Sequence, residues 1–269
     1  MNSSRYFLNF GIILSLLLIF CCAGCMPMSD IQKASSKGSM VKVDALLEKG
    51  VDIDDFSPLH GTPLSIAADQ GDMAMVQHLL DKGADIDLCS PLSTAVWDGH
   101  AEITRLLIEK GADVNSGWQS GSALQRAAEK NRADMVTLLL TAGADPDGSG
   151  GGDPLWIAAF RGYDDVVLQL LAAGANPNLR NCLDVAVRHS PSFVTIYLLL
   201  ENGADVDARD QQDMSALHFA ALYGRTEPVR LLLKYGAKVE FVAESGKTAE
   251  DYARENGYPV IVEMLSVKQ

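Results

Sequence analysis

The stretch Ser215–Glu240, SALHFAALYGRTEPVRLLLKYGAKVE, decides how the rest of the chain is read. Leu217 is followed at three and four residues by Ala220 and Ala221, which places one large and two small apolar residues on one side of a short helix. Small residues there let a neighbouring helix approach closely. Gly224 ends that helix, because the left-handed backbone needed at such a turn costs glycine little. Pro228 falls at the start of a second helix, where proline is tolerated. Gly236 closes the second helix, and Ala237-Lys238 leads into a short extended segment.

The same layout recurs along the chain. Junctions of the Gly-Ala-Asp type stand at Gly50, Gly83, Gly111, Gly143, Gly174, Gly203 and Gly236, at intervals of 28 to 33 residues. A helix-ending Gly38, Gly71, Gly99, Asn131, Gly162 or Gly224 precedes its junction by 12 residues each time. Leu64 with Ala67 and Ala68, Leu124 with Ala127 and Ala128, and Leu155 with Ala158 and Ala159 repeat the first-helix pattern. Ile103, Leu106 and Leu107, or Val166, Val167, Leu170 and Leu171, repeat the apolar spacing of the second. A fixed period of this length signals a stacked array of helix pairs.

These residues, and GTPLSIAADQGDMAMVQHLLDKGADID (Gly61–Asp87) with them, resemble the ankyrin repeat. The resemblance covers about residues 29–266. It implies an all-α repeat solenoid of helix-turn-helix pairs with short β-hairpin fingers, in about eight units including degenerate caps. The units fall at about 30–54, 60–87, 90–115, 121–147, 153–178, 181–207, 213–240 and 246–266. The first is polar outside, as a terminal repeat must be for solubility.

Three departures stand out. The third and sixth units enter their first helix only five residues after Asp87 and Asn178, whereas full-length units need ten, so both are expected to lack most of the finger. In the sixth unit Ser190-Pro191-Ser192 replaces the helix-ending glycine, which predicts a local irregularity.

Residues 1–24 have the layout of an export signal, with Arg5 ahead of an apolar run from Tyr6 to Phe20 that is short for a bilayer span. Cys22-Ala23-Gly24-Cys25 resembles a bacterial lipobox, in which Cys25 is lipidated and becomes the new N-terminus; Cys22 stands where Leu is usual. The expectation is residues 25–29 as a lipidated tether and 30–269 as the repeat domain. By resemblance to enteric lipoproteins, Met26 favours the outer membrane, facing the periplasm. At about 3.5 Å per extended residue the tether is roughly 15–20 Å long, which keeps the body near the bilayer.

The 269 residues carry 22 Lys and Arg against 35 Asp and Glu, a net charge of −13. Such a surface repels a duplex or an anionic bilayer and attracts a basic partner, although acidity also serves solubility. Cys89 and Cys182, far from the N-terminal three cysteines, have no CxxC partner; a single long-range disulfide between them stays open. Catalysis needs convergent titratable groups, and the five histidines show no such spacing. His100 and His218 read as structural hydrogen-bonders at repeat-consensus positions, and His60, His78 and His189 form no metal set. The glycine-rich run at residues 148–152 lacks the Lys-Ser or Lys-Thr of a phosphate loop and reads as a flexible connector. No enzyme activity, cofactor or metal is expected.

What remains is recognition. Ankyrin arrays bind through a concave face made of finger tips and the two residues after each Ala-Ala pair. Carried over unit by unit, the resemblance implies Asp69 and Gln70, Trp97 and Asp98, Glu129 and Lys130, Phe160 and Arg161, Arg188 and His189, and Leu222 and Tyr223. Trp118 in a finger belongs with them, and Trp156 lies beside the column. Rings and arginines at solvent-facing positions are the residue types that dominate interface energetics; some could instead cover the gap of a shortened finger, Trp97 above all. The expectation is a membrane-anchored, monomeric periplasmic module that binds a partner protein, basic in character. It would act as an immunity-type inhibitor of a toxic effector or, alternatively, as a scaffold for an envelope enzyme or assembly component; a catalytic lipoprotein is a remote alternative.

Overall fold

In the computed structural model, residues 27–118, 121–148 and 152–266 are described, with the side chain of Trp118 excepted. They hold sixteen α-helices in eight consecutive pairs, as the repeat spacing predicts. Contacts divide the chain into two compact units, one ending at Asp113 and one beginning at Val114.

The first unit holds α1 (Asp30–Ser36) with α2 (Met40–Leu47), α3 (Pro63–Asp69) with α4 (Met73–Asp81), and α5 (Pro91–Asp98) with α6 (Ala101–Glu109). The second begins with a hairpin, β1 (Gly117–Trp118) and β2 (Gly121–Ser122). Five pairs follow: α7 (Ala123–Glu129) with α8 (Ala133–Thr141), α9 (Pro154–Arg161) with α10 (Asp164–Ala172), α11 (Cys182–His189) with α12 (Phe193–Glu201), α13 (Ala216–Leu222) with α14 (Thr226–Lys234), and α15 (Ala249–Glu255) with α16 (Pro259–Ser266). Within each unit the first helices of successive pairs pack on one another, and the second helices do so behind them.

Local chemistry sets several of the helix starts. Thr62 and Ser65 form a reciprocal capping box on α3, and Thr248 and Asp251 do the same on α15. Proline at the first position of α3, α5 and α9 supplies a preset φ where its missing N–H costs nothing. At α13 the capping partner is a histidine: the Ser215 N–H donates to His218 Nδ1 at 3.1 Å, so Nε2 carries the proton that reaches the Phe241 carbonyl, also at 3.1 Å. His218 is therefore structural, and burial pushes its pKa down. His100 is structural too, with Nε2 at 2.9 Å from the Asp69 carbonyl oxygen.

The core is the small-residue seam plus one leucine stripe. Ala67, Ala68, Ala127, Ala128, Ala158, Ala159, Ala220 and Ala221 are buried, and Leu79, Leu139 and Leu232 are wholly so. At about 0.8 kcal/mol per buried CH₂, each leucine stabilises the stack by a few kcal/mol.

The recurrent acidic junction has a structural cause. Asp54 Oδ1 accepts the Asp85 N–H at 2.9 Å, and Asp87 Oδ1 accepts the Asp113 N–H at 2.9 Å. In the second unit Asn115 holds Asp145, Asp147 holds Asn176, Asn178 holds Asp205 and Asp207 holds Lys238 in the same way, at 2.7 to 3.0 Å. Within a junction the leading Asp or Asn bends back to the N–H two residues on, as Asp145 does to Asp147. The working motif is thus Gly-Ala-Asp-x-Asp/Asn, a ladder in which each repeat accepts from the next. Part of the acidic surplus serves the fold.

Both shortened units lack a finger among the described residues. Cys89-Ser90 and Arg180-Asn181 adopt positive φ in consecutive pairs and turn directly into α5 and α11. Elsewhere bridges at Ser57–Gly61, Arg209–Ser215 and Val242–Thr248 mark finger bases. Ser190, where glycine is missing, is extended, and the Arg225 guanidinium donates to the carbonyls of Ala186, Val187 and Ser190. One side chain from the next repeat thereby satisfies the end of α11. Cys89 and Cys182 are free thiols, so no disulfide joins them. Residues 149–151 of the glycine-rich run, and Cys25 with the segment before it, lie outside the described residues.

Candidate functional site

The predicted positions end their first helices in each unit, but the chemistry they bring together differs. In the first unit Asp69 and Gln70 close α3 and are exposed, while Trp97 is half-buried and Asp98 exposed at the end of α5. Partial burial, and then the neighbouring Asp98 carboxylate, raise the Asp69 pKa above the ordinary carboxylate value. Two acids thus stand side by side there.

In the second unit Glu129 is already engaged: Arg126 Nη1 donates to it at 2.8 Å and Gln125 Nε2 at 3.0 Å. Lys130 beside it is exposed. The remaining positions form a ladder of rings and cations across three first helices. Trp156 stacks on Phe160 one turn later in α9, with centroids 5.5 Å apart. Phe160 meets the His189 ring of α11 at 4.9 Å. Arg161 lies 5.7 Å from the Phe160 ring centre. Arg188 carries the ladder onward, its guanidinium 4.4 Å above Phe219 of α13, and Phe219 stacks on Tyr223 at 6.5 Å. Tyr223 is 49% exposed, Leu222 is half-buried and Phe219 only 5% exposed. Phe219 therefore acts as the floor under Arg188 rather than as a contact residue. Arginine stacked on a ring keeps its charge while losing much of its rotamer freedom before any partner arrives.

Beneath Arg188 lies Asp184, a residue that the repeat positions do not single out. Arg188 Nη1 is 3.5 Å from Asp184 Oδ2, and Asp184 Oδ1 is buried with no hydrogen-bond partner among the described residues. Burial pushes this carboxyl up to about 6; Arg188 opposes the rise and Asp210 adds to it. The space beside it is a cavity of about 400 Å³ lined by Pro177, Asn178, Asn181, Asp184, Asp205 and Ala208. These residues flank the missing finger of the sixth unit, so the short loop opens the cavity. The Trp118 side chain lies outside the described residues. Among those residues, no group of three or more His, Cys, Asp or Glu converges on a common point that could hold a metal.

A family model of ankyrin repeats matches residues 31–117, 92–181 and 183–269, nearly the whole repeat region. The chain belongs to the ankyrin-repeat family. The crystal structure of the human ASB11 ankyrin-repeat domain superposes with a TM-score of 0.64 at 25% identity, covering 78% of this chain and 99% of that one. A Danio rerio relative named for a palmitoyltransferase, ZDHHC13, is 29% identical over 88% of this chain and 34% of its own length. The Arabidopsis thaliana E3 ubiquitin-protein ligase XBAT32 is 29% identical over 60% of this chain and 32% of its own. The chain spans about a third of the length of these curated relatives, and the enzyme names among them come with partial matches only. The ankyrin fold is typically a non-catalytic protein–protein interaction module, and in its coarse outline the function of this chain follows from it.

Proposed function

We propose that this ankyrin-repeat chain is a lipid-anchored envelope protein, acylated at Cys25, that captures a partner protein on the first-helix face of its second unit. The observation that carries the reading is the ladder from Trp156 through Phe160 and Arg188 to Tyr223. Phe219 is packed into the core, but Tyr223 stays 49% exposed and Trp156 and Phe160 are only half-buried, so burial in the fold does not account for these rings. A rigid array that presents prestacked rings and arginines loses little ordering entropy on binding. The acidic surplus of the chain supports a basic partner, and capture of a toxic effector in the periplasm is the more specific role that this charge favours.

The test compares the wild-type full chain with the triple variant Phe160→Ala, Arg161→Ala, Tyr223→Ala in a pull-down from envelope extract, identified by mass spectrometry. Capture of a defined partner should fall by about tenfold or more while the melting temperature stays close to wild type. Equal capture, or a large drop in melting temperature, would assign these side chains to the fold instead. Replacing Cys25 with Ser should separately move the chain from the membrane fraction to the soluble one.

A further inference from the structure

The sign of the surface is reversed at one place in the first unit. The face of α1 and α2 that no described element covers carries Lys33, Lys37, Lys42 and Lys49 around a shallow groove of about 340 Å³, which Ala34, Ala45 and Leu46 also line. Asp30 is the one acid on that rim, 3.5 Å from Lys33. All four lysines are exposed, and Lys37, Lys42 and Lys49 form no ion pair among the described residues. The nearby Asp44 points elsewhere, held by Lys82 at 2.7 Å and His78 at 3.1 Å from the following repeat. In a chain of net charge −13, four lysines against one acid on a single face are not explained by stacking, since nothing stacks there. A terminal repeat needs a polar outer face for solubility, but either sign of charge meets that need, so it does not account for the excess of lysines.

Position supplies the second argument. The face begins at Asp30, five residues after Cys25. Five extended residues reach about 17 Å at most, so an acylated Cys25 would hold this face within reach of the headgroups. The screening length in physiological salt is about 8 Å, so a compact tether brings the lysines within range and a fully stretched one does not. We infer that the Lys33–Lys37–Lys42–Lys49 face docks on the anionic headgroups of the membrane that anchors the chain. This rests on the proposed acylation for proximity alone, since the charge of the face is independent of it. Docking would turn a loose tether into a defined seat, with the acidic remainder of the surface repelled from the bilayer and kept clear for a partner.

The experiment uses the acylated full chain reconstituted into vesicles of phosphatidylcholine alone, or of phosphatidylcholine with an equal part of phosphatidylglycerol. Limited acetylation with mass-spectrometric readout then follows Lys33, Lys37, Lys42 and Lys49, with Lys110 and Lys234 as references. In the anionic vesicles the four lysines should react more slowly by on the order of fivefold each, the references should not change, and high salt should abolish the difference. Equal rates in the two vesicle types would overturn the proposal. Slowing that needs added envelope protein would overturn it too, assigning the face to an acidic protein. Failure of the anchor shows itself separately, as a chain that does not sediment with neutral vesicles; the anionic vesicles added to that free chain still test the lysine face by the same readout.

Discussion

The ends of the first helices differ between the two units although their frames are alike. In the first unit Asp69 and Asp98 crowd each other beside a half-buried Trp97. In the second, Trp156, Phe160, His189, Arg188, Phe219 and Tyr223 interlock. A repeat fold demands alanine behind and glycine at the turn but leaves the helix-end side chains unassigned, so one scaffold carries a pair of acids in one unit and stacked rings with arginines in the other. Charge acts at a distance, on encounter rates and their salt dependence; desolvated rings act at contact, on how long a complex lasts.

The largest effect should break the frame that both units share. Leu79 in the first unit and Leu139 in the second are each 0% exposed, and an aspartate at either place should cost about 4 kcal/mol or more. Chemical denaturation followed by circular dichroism checks this. A near-normal midpoint for either variant would mean that the two units are not built alike.

A smaller effect separates the two shortened repeats. Asp184 lies at the cavity of the sixth unit with its pKa raised, so the fold favours its protonated form. That contribution is present below the ordinary value of 3.8 and is lost as pH rises through about 6, so at neutral pH the ionised group works against folding. Asp184→Asn should therefore stabilise the chain at pH 7 by about 1 kcal/mol, after discounting for partial solvent screening. The gain should shrink toward pH 4. Melting curves across that range check it, and a destabilised variant at neutral pH would show that Arg188 outweighs burial.

An effect of similar size, and a smaller one beside it, concern the junction ladder. Asp147→Ala removes the acceptor of the Asn176 N–H and should cost about 1 kcal/mol. Asp147→Asn keeps an acceptor oxygen, as Asn115 and Asn178 do in neighbouring repeats, and should cost a few tenths. Denaturation midpoints distinguish the two; equal losses would mean that charge, not acceptance, matters at the junction.

Much of this is legible in the sequence. Phase-locked glycines announce left-handed turns, and Gly38, Gly71, Gly99, Gly162 and Gly224, with Asn131 in the same role, all have positive φ. Leu139 and Leu232 fall on buried faces as the helical period predicts. The gaps after Asp87 and Asn178 report missing fingers by simple counting. What stayed hidden depends on contacts between repeats. The second Asp or Asn of each junction has meaning only once the next repeat's N–H is in place. Phe219 matters because Arg188 reaches it from a neighbouring helix, a meeting that no spacing along the chain encodes; the four-residue spacing of Asp184 and Arg188 does signal a helical pair, but not the burial of Asp184 beside the cavity. The Arg225 plug of α11 is of the same kind: Ser190-Pro191-Ser192 signals an irregularity, but its repair comes from 35 residues away.

On the proposed function, the ladder in the second unit holds the partner while the acidic pair in the first acts only through its field. Association and dissociation rates of the captured partner, measured over a range of salt for two variants of the full chain, test it most directly. Phe160→Ala, Arg161→Ala, Tyr223→Ala should speed dissociation by about tenfold or more with the salt dependence of association preserved. Asp69→Asn, Asp98→Asn should slow association of a basic partner and flatten its salt dependence, with dissociation nearly unchanged. A ladder variant that dissociates like wild type would contradict the account.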